Sequence, residues 1–414
     1  FRAGKAAEAR HAFAESLESY QQALALLNLL PESPERDGRE LELRQSVVQV
    51  LQVARGYAAP ETREATERAA VLAEKGGNLA QLVGWVMSRW LVAHDSGDLS
   101  AESTLADQGL ELAVREGSPT SLASAHTAQI LTRYLLGDLA GVEKYFAAGL
   151  SLFDDPGFRR HPGAATGTFG YAAMNAWRIG RADVARQRIA RMTAAIDTNT
   201  PYDLAFSTTF AAQIRIYLRE YEQSETLAAR ALELGEKYQF PFVAAYNRCV
   251  LGRARAELGR ATEGVELMPQ GIAGLLEVGF RLGMAIHTAS LAAALGREGA
   301  TVDALAMVEQ ALQANPGQVA PRPEMLTLRG ELRLEQGQTE LAEADFREAI
   351  ALAQKMDAKA SELQATMSLA RLLDRTGRRE EARAMLAEIY GWFTEGFDTA
   401  DLKDAKALLD QLNA

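Results

Sequence analysis

Along nearly the whole chain, apolar residues recur every three or four positions, the interval that places them on one face of an α-helix. The pattern breaks at short turns and then resumes. Each unit is an apolar helical segment, a turn marked by glycine, and a second helix with small residues on one face. The clearest copy runs from Gly330 to Ala349, with Gly337 at the turn, Ala342 five residues later and Phe346 nine later. Corresponding turns fall at Gly56, Gly97, Gly137, Gly180, Arg219, Gly259, Gly299, Gly337 and Gly377, in steps of 41, 40, 43, 39, 40, 40, 38 and 40 residues. The same offsets return as Gly377, Ala382 and Leu386, as Gly180, Ala185 and Ile189, and as Gly299, Ala304 and Val308. Glycine accepts the left-handed backbone that ends a helix, alanine lets two helices approach, and the bulky residue fills the neighbouring groove. At Arg219 the glycine is lost, yet Ala228 and Ala231 keep the small packing positions.

Composition points the same way. Of 414 residues 75 are alanine, against 18 valines and 10 isoleucines, a balance that favours helix and starves a large sheet. The predicted fold is all-α, a helical-hairpin repeat solenoid winding into a right-handed superhelix with a repeat of about 40 residues. Residues 1–399 are expected to form about nine helix pairs, and residues 400–414 a capping helix in which Leu402, Ala405, Leu408, Leu409 and Leu412 cover the last apolar face. Stability in such an array is expected to be local and additive. Asp154–Gly163, Asn199–Pro201 and Asn315–Pro323 read as loops between repeats, with no domain boundary.

The formal net charge of −11 excludes the broad basic footprint of a nucleic-acid binder. Cys249 is the single cysteine, so an intramolecular disulfide framework and a cysteine-based zinc site are excluded, and a reducing, cytoplasmic setting is expected. No apolar run reaches the ~18 residues of a membrane span. The chain opens at Phe1 inside an alanine-rich helical pattern, as a piece of a longer protein would.

The spacing of Gly330, Gly337, Ala342, Phe346 and Ala349 resembles the tetratricopeptide repeat, lengthened from 34 to about 40 residues as in long-repeat bacterial regulators. A narrower resemblance lies at the end of the chain. Ala358–Leu373 and Ile389–Leu409 are similar to the end of large bacterial signalling proteins, in which an adenylate/guanylate cyclase or other output domain precedes a predicted regulatory ATPase and a tetratricopeptide-like array closes the chain. Ala54–Glu61 and Glu277–Gly283 are similar to segments of the same arrays. The resemblance implies a regulatory region whose partners include those preceding domains. It passes on no catalytic or ATP-binding residue, since these belong to the upstream domains; Gly4-Lys5 lacks the preceding glycine of a phosphate loop.

Candidate chemistry is sparse. The five histidines, His11, His94, His126, His161 and His287, include no pair at the i, i+4 spacing of helix-borne metal ligands. His94-Asp95 reads as a helix end rather than an acid/base pair, and His161 as part of a solvated loop beside Arg159 and Arg160. No nucleophile elbow is present, and Cys249 reads as a small buried residue despite Arg248 beside it. Trp85 and Trp90 read as core, with ligand stacking the alternative. Trp392, Phe393 and Phe397, in a glycine-interrupted aromatic cluster, either lock the capping helix or form a docking patch. Arg371, Arg375, Arg378, Arg379 and Arg383 alternate with acids and read as a solvated face. If first helices line a groove, then Asn175, Arg178, Asn247 and Arg248 become its candidate peptide-binding residues, asparagine for a backbone and arginine for a carboxylate.

Three functions are compatible with this reading. A non-catalytic interaction scaffold binds a protein or peptide partner, including the preceding ATPase or cyclase domains. A sensor array instead binds a small ligand and regulates those domains, and would need a polar, aromatic-lined pocket inside the superhelix. An enzyme is the third, and the sequence offers it no constellation. No cofactor, metal, nucleic-acid or membrane partner is expected.

Overall fold

The computed structural model describes residues 1–8, 10–76, 78–161, 163–196, 200–314 and 317–414. Pro162, Asn199, Asn315 and Pro316, from the three inter-repeat segments, lie outside the described residues. An opening hairpin of α1 (Arg2–Glu8) and α2 (Phe13–Leu27) turns at His11, and its pairing was not read from the sequence. Then come α3 (Pro34–Arg55) with α4 (Pro60–Gly76), α5 (Leu79–Ser96) with α6 (Leu99–Glu116), and α7 (Pro119–Leu136) with α8 (Leu139–Gly149). After the single-turn α9 (Pro156–Arg159), α10 (Ala164–Arg178) pairs with α11 (Ala182–Ala194), and α12 (Pro201–Tyr217) with α13 (Tyr221–Lys237). The series ends with α14 (Pro241–Glu257) and α15 (Ala261–Glu277), α16 (Met284–Arg297) and α17 (Thr301–Ala314), α18 (Arg322–Glu335) and α19 (Thr339–Met356), α20 (Lys359–Arg375) and α21 (Arg379–Trp392), and α22 (Ala400–Asn413).

Every one of the nine turns named from the sequence has positive φ: 104° at Gly56, between 74° and 85° at the other glycines, and 59° at Arg219. The left-handed conformation is therefore kept where the glycine is not, at the strain a β-carbon imposes there. Inside the hairpins the small residues do the packing. Ala228, Ala231, Ala342 and Ala382 are fully buried, and a β-carbon on Gly330 would lie 2.5 Å from the Phe346 ring. In α22, Leu402, Ala405, Leu408, Leu409 and Leu412 are buried against α20 and α21, and the Arg379 Nε donates to the Leu412 carbonyl at 3.0 Å.

The array does not behave as a row of nearest neighbours. Successive superhelical turns touch, so stability is not purely local as the repeat pattern suggested. At one end of this seam, β-carbons on Gly56 and Gly279 would meet Val278 at 3.0 Å and the Ala58 carbonyl oxygen at 2.4 Å. Farther along, the carbonyl of Asp95 accepts the N–H groups of Arg281 (2.8 Å) and Leu282 (3.1 Å), and that of Leu135 accepts Val319 N–H (3.2 Å). The seam continues where the fully buried Arg178 spans 142 residues to the Ala320 carbonyl at 2.5 Å and pairs with Glu324 at 2.5 Å. Arg219 reaches Asp401 (3.1 Å) and Asp404 (2.7 Å), and Arg186 reaches Asp398 at 3.0 Å. These contacts wall in the space along the superhelix axis.

Candidate functional site

The walled space is a cavity of about 530 Å³ lined by the first helices of successive pairs. Helical periodicity explains which residues reach it. On α12, Phe206, Phe210, Gln213 and Tyr217 stand at i, i+4, i+7 and i+11, and on α10, Gly167, Tyr171 and Met174 share one face. Helix α3 contributes Gln45, Gln49 and Gln52, helix α7 Thr127, Leu131 and Tyr134, and helix α14 Phe242 and Tyr246.

A belt of rings runs round the wall. Trp90 stacks on His94 (centroids 5.2 Å apart), His94 meets Tyr171 edge-on at 5.7 Å, and Tyr171 meets Phe210 at 5.9 Å. It continues through Phe206 (5.2 Å), Phe242 (6.0 Å) and Tyr246 (5.7 Å) to His287, which Tyr246 meets edge-on at 4.9 Å. Edge-to-face contacts at these distances hold the rings in fixed orientations.

The electrostatics of the wall are muted. Among the described residues lining the cavity there is no lysine or arginine, and the one carboxylate is Asp95. Burial pushes Asp95 up to about 7, against the opposing pull of His94, with Glu102 raising it further. Burial alone would lower His94, but its ion pair with Glu102 (Nδ1 to Oε1, 2.9 Å) outweighs that and leaves it raised. Glu102 also accepts from the Thr132 hydroxyl at 2.9 Å, and that hydroxyl accepts the Trp90 indole N–H at 3.0 Å. His287 is held down to about 4 by burial and by Arg253, which keeps it neutral. A second, charged chamber of about 390 Å³ adjoins at Tyr217 and Ile286; its Arg178 is paired with Glu324 and its Arg219 with Asp401 and Asp404.

The residues singled out from sequence are not brought together. Asn175 is fully buried and donates to the Leu139 carbonyl (3.2 Å) and to Glu143 (2.7 Å), and Asn247 donates to Thr209 (2.7 Å) and to the Val243 carbonyl (2.8 Å). A buried amide needs partners; the Asn175 N–H groups find them on α8, and those of Asn247 on α12 and within α14, so neither side chain lines the cavity. Arg178 borders the charged chamber and holds the seam, while Arg248 points to Glu236 at 2.6 Å. Trp85 and Trp90 are at once core and cavity wall. His94 lies in the last turn of α5, a helix-end histidine as expected, and is buried and paired with Glu102. Cys249 is buried, with burial pushing its thiol up to about 12. Phe393 and the edge of the Trp392 ring both pack into the seam beside Gly180; Phe393 is buried, while Trp392 and Phe397 stay 43% and 49% exposed. Arg378, Arg379 and Arg383 pair with neighbouring acids. The sequence signal for the cavity is the aromatic residues repeated on first helices; Asn175, Arg178, Asn247 and Arg248 do not line it.

A scan of protein-family models and a search of curated proteins return no match. Among solved structures, the chain is similar to a Rap protein complexed with Competence and Sporulation Factor, with TM-score 0.60 and 13% identity over 92% of this chain and 100% of that one. The chain has a tetratricopeptide-like solenoid fold. Two further structures align with a TM-score of 0.42 each. Yeast Tom70 is 14% identical over 99% of this chain and 94% of its own. A signal transduction ATPase with numerous domains and a tetratricopeptide repeat sensor, from Pyrococcus horikoshii, is 13% identical over 97% of this chain and 66% of its own. Among the described residues, no helix is long and apolar enough to cross a membrane.

Proposed function

We propose that the chain is a non-catalytic, cytoplasmic sensor module that takes a small ligand inside its superhelix and passes the binding event to ATPase or cyclase domains preceding it in a multidomain signalling protein. The observation that carries this reading is the aromatic cavity of about 530 Å³, within the 300–1,000 Å³ range of ligand sites and built on rigid first helices. The Rap protein, on a similar fold, was solved in complex with Competence and Sporulation Factor, which supports a ligand-binding role. Because the cavity wall spans α3 to α16, a ligand that prefers one superhelix curvature shifts the population of curvatures. In this scheme α22 is the cap of the array. A thermal-shift screen of the purified chain against small molecules tests it: a ligand at a hundred times its Kd adds about 2.7 kcal/mol of stability. Absence of any shift, together with direct binding of the preceding domains, would replace it with the scaffold reading.

That scaffold reading has one observation in its favour. Trp392 and Phe397 are large, exposed and adjacent to the seam, as a docking patch for a protein partner requires. Capture of the preceding domains by the intact chain, abolished by Trp392→Ala with Phe397→Ala, is the result that supports it.

A further inference from the structure

The composition of the cavity wall specifies more than the presence of a ligand. Apart from Asp95 and the histidines His94, His161 and His287, its polar side chains are mainly amides and hydroxyls. Gln49 and Gln52 sit three residues apart on α3, and among the described residues neither side chain has a hydrogen-bond partner. On α12, Gln213 accepts only a long bond from the Tyr246 hydroxyl, at 3.5 Å. An amide offers both donor and acceptor and carries no charge, so it satisfies amide, carbonyl or hydroxyl groups on a ligand. A ligand carboxylate would find no unpaired cation on the wall, since no lysine or arginine lines it, His94 is already paired with Glu102, and burial pushes His161 and His287 toward the neutral form. A ligand ammonium would find Asp95 alone, itself buried beside His94. Either ion would surrender its hydration with little in return.

Two glycines supply an independent observation. Most helical glycines here buy nothing unless a neighbour needs the room, and several have such a neighbour: a β-carbon on Gly170 would lie 2.3 Å from the Phe210 ring, and one on Gly264 would lie 2.6 Å from the Gly252 carbonyl. Gly84 in α5 and Gly167 in α10 differ. Both border the cavity, and a β-carbon on either would meet nothing within 4 Å. Each costs its helix roughly 0.5–1 kcal/mol relative to alanine. No turn and no protein contact accounts for them; Gly167 is buried, so the space it leaves open is cavity space, while the exposed Gly84 lies at the cavity rim.

We propose that the cavity binds an uncharged small molecule with an aromatic or apolar body and amide- or carbonyl-type polar groups, seated between the ring belt and the open faces at Gly84 and Gly167. The inference rests on the ligand-sensing reading above and names its ligand class. The rings supply stacking surface, the three glutamines fix orientation, and the absence of an unpaired cation on the wall rejects anions.

The test uses one scaffold in three charge states: N-acetyl-phenylalanyl-phenylalaninamide, its free C-terminal carboxylate, and its free N-terminal amine. Each is titrated into the full 414-residue chain by calorimetry and by fluorescence, for which Trp85 and Trp90 in the wall are reporters. The neutral probe is expected to bind at least tenfold more tightly than either ion. Gly167→Leu, which fills the cavity, is expected to weaken the neutral probe at least tenfold while the melting temperature holds or rises. Gly84→Phe, nearer the surface, repeats the test should Gly167→Leu disturb the fold. Equal or tighter binding of a charged probe overturns the inference and leaves the ligand-sensing reading standing. Binding of the neutral probe that neither glycine variant weakens places it elsewhere and overturns the inference too. If none of the three probes binds, the ligand class is wrong, and the broader thermal-shift screen decides the reading beneath it.

Discussion

Glu395 caps a helix that begins more than two hundred residues before it. Its Oε1 accepts the Asp183 N–H at 2.9 Å across 212 residues of sequence and the Val184 N–H at 3.3 Å, and Asp183 returns the contact by accepting the Gly396 N–H at 3.4 Å. Arg181, at the N-cap of α11, has no side chain that can accept, so the orphan donors of that helix are satisfied from the next superhelical turn.

Glu395→Ala is therefore expected to cost about 1 kcal/mol, the ordinary worth of an N-cap acceptor. Asp398→Ala, a few residues along the same seam but with its carboxylate 68% exposed, is expected to cost under about 0.5 kcal/mol. Urea unfolding of both variants checks the pair; equal costs would mean that the cross-turn cap contributes no more than a surface charge.

Arg178 is the costlier seam residue. Its Nη1 donates to the Ala320 carbonyl and to Glu324, and its Nη2 to the Tyr134 hydroxyl at 3.3 Å. Arg178→Ala leaves the Ala320 carbonyl without its donor and Glu324 with only the Ser361 hydroxyl and no compensating charge, and is expected to destabilise by about 3–5 kcal/mol. Arg178→Lys should recover little, because one ammonium cannot match the planar fork of donors. A loss below about 1 kcal/mol in chemical denaturation would contradict this account.

Asp95 and His287 make opposite contributions to the pH dependence of stability. Asp95 titrates near 7 in the folded chain instead of 3.8, so the folded state holds its proton longer and stability falls as pH rises from about 4 to 7. His287 titrates near 4 instead of 6.5, so the unfolded state takes the proton first and stability rises with pH over about 4 to 6.5. The two slopes oppose each other across nearly the same window. Asp95→Asn is expected to stabilise the chain at pH 8, by up to a few kcal/mol on the order set by linkage, and to change little at pH 3.5. It should also expose the rising limb of His287. Melting curves from pH 3.5 to 8 decide the matter; an equal gain at both ends would show that the Asp95 charge is not the cause.

Neighbouring glycines on α10 should respond with opposite sign. Gly167→Ala has open space and gains helix propensity, so an increase of roughly 0.5–1 kcal/mol is expected. Gly170→Ala drives a methyl into the Phe210 ring and is expected to cost about 1–3 kcal/mol. Comparing their melting temperatures is sufficient; destabilisation by both would mean that the space at Gly167 is not open.

The repeat was legible because its signals are local. Turn glycines, the alanine five residues on and the bulky residue nine on are all fixed within one hairpin, and even Arg219 keeps the backbone its glycine-bearing counterparts adopt. The cavity depends on something else: Gly56 meeting Val278 and Arg178 meeting Ala320, contacts set by how many repeats complete a turn of the superhelix. No spacing within a repeat encodes that number. Asn175 and Asn247 misled for a related reason, since a polar residue on an apolar helix points either into a groove or toward a buried partner, and their partners lie on other helices. Trp85 and Trp90 were ambiguous in the sequence because core and cavity wall are the same surface here.

The close approach at Gly56 and Gly279 carries a consequence for evolution of this chain. With no side chain between them, adjacent coils stand one backbone thickness apart, which makes the pair a gauge of the superhelical pitch. A bulkier residue at either position would wedge the coils apart and enlarge the chamber without altering any ring that faces it. Ligand selectivity in this architecture is thus adjustable from two places: the wall itself, and a spacer in the seam between the coils.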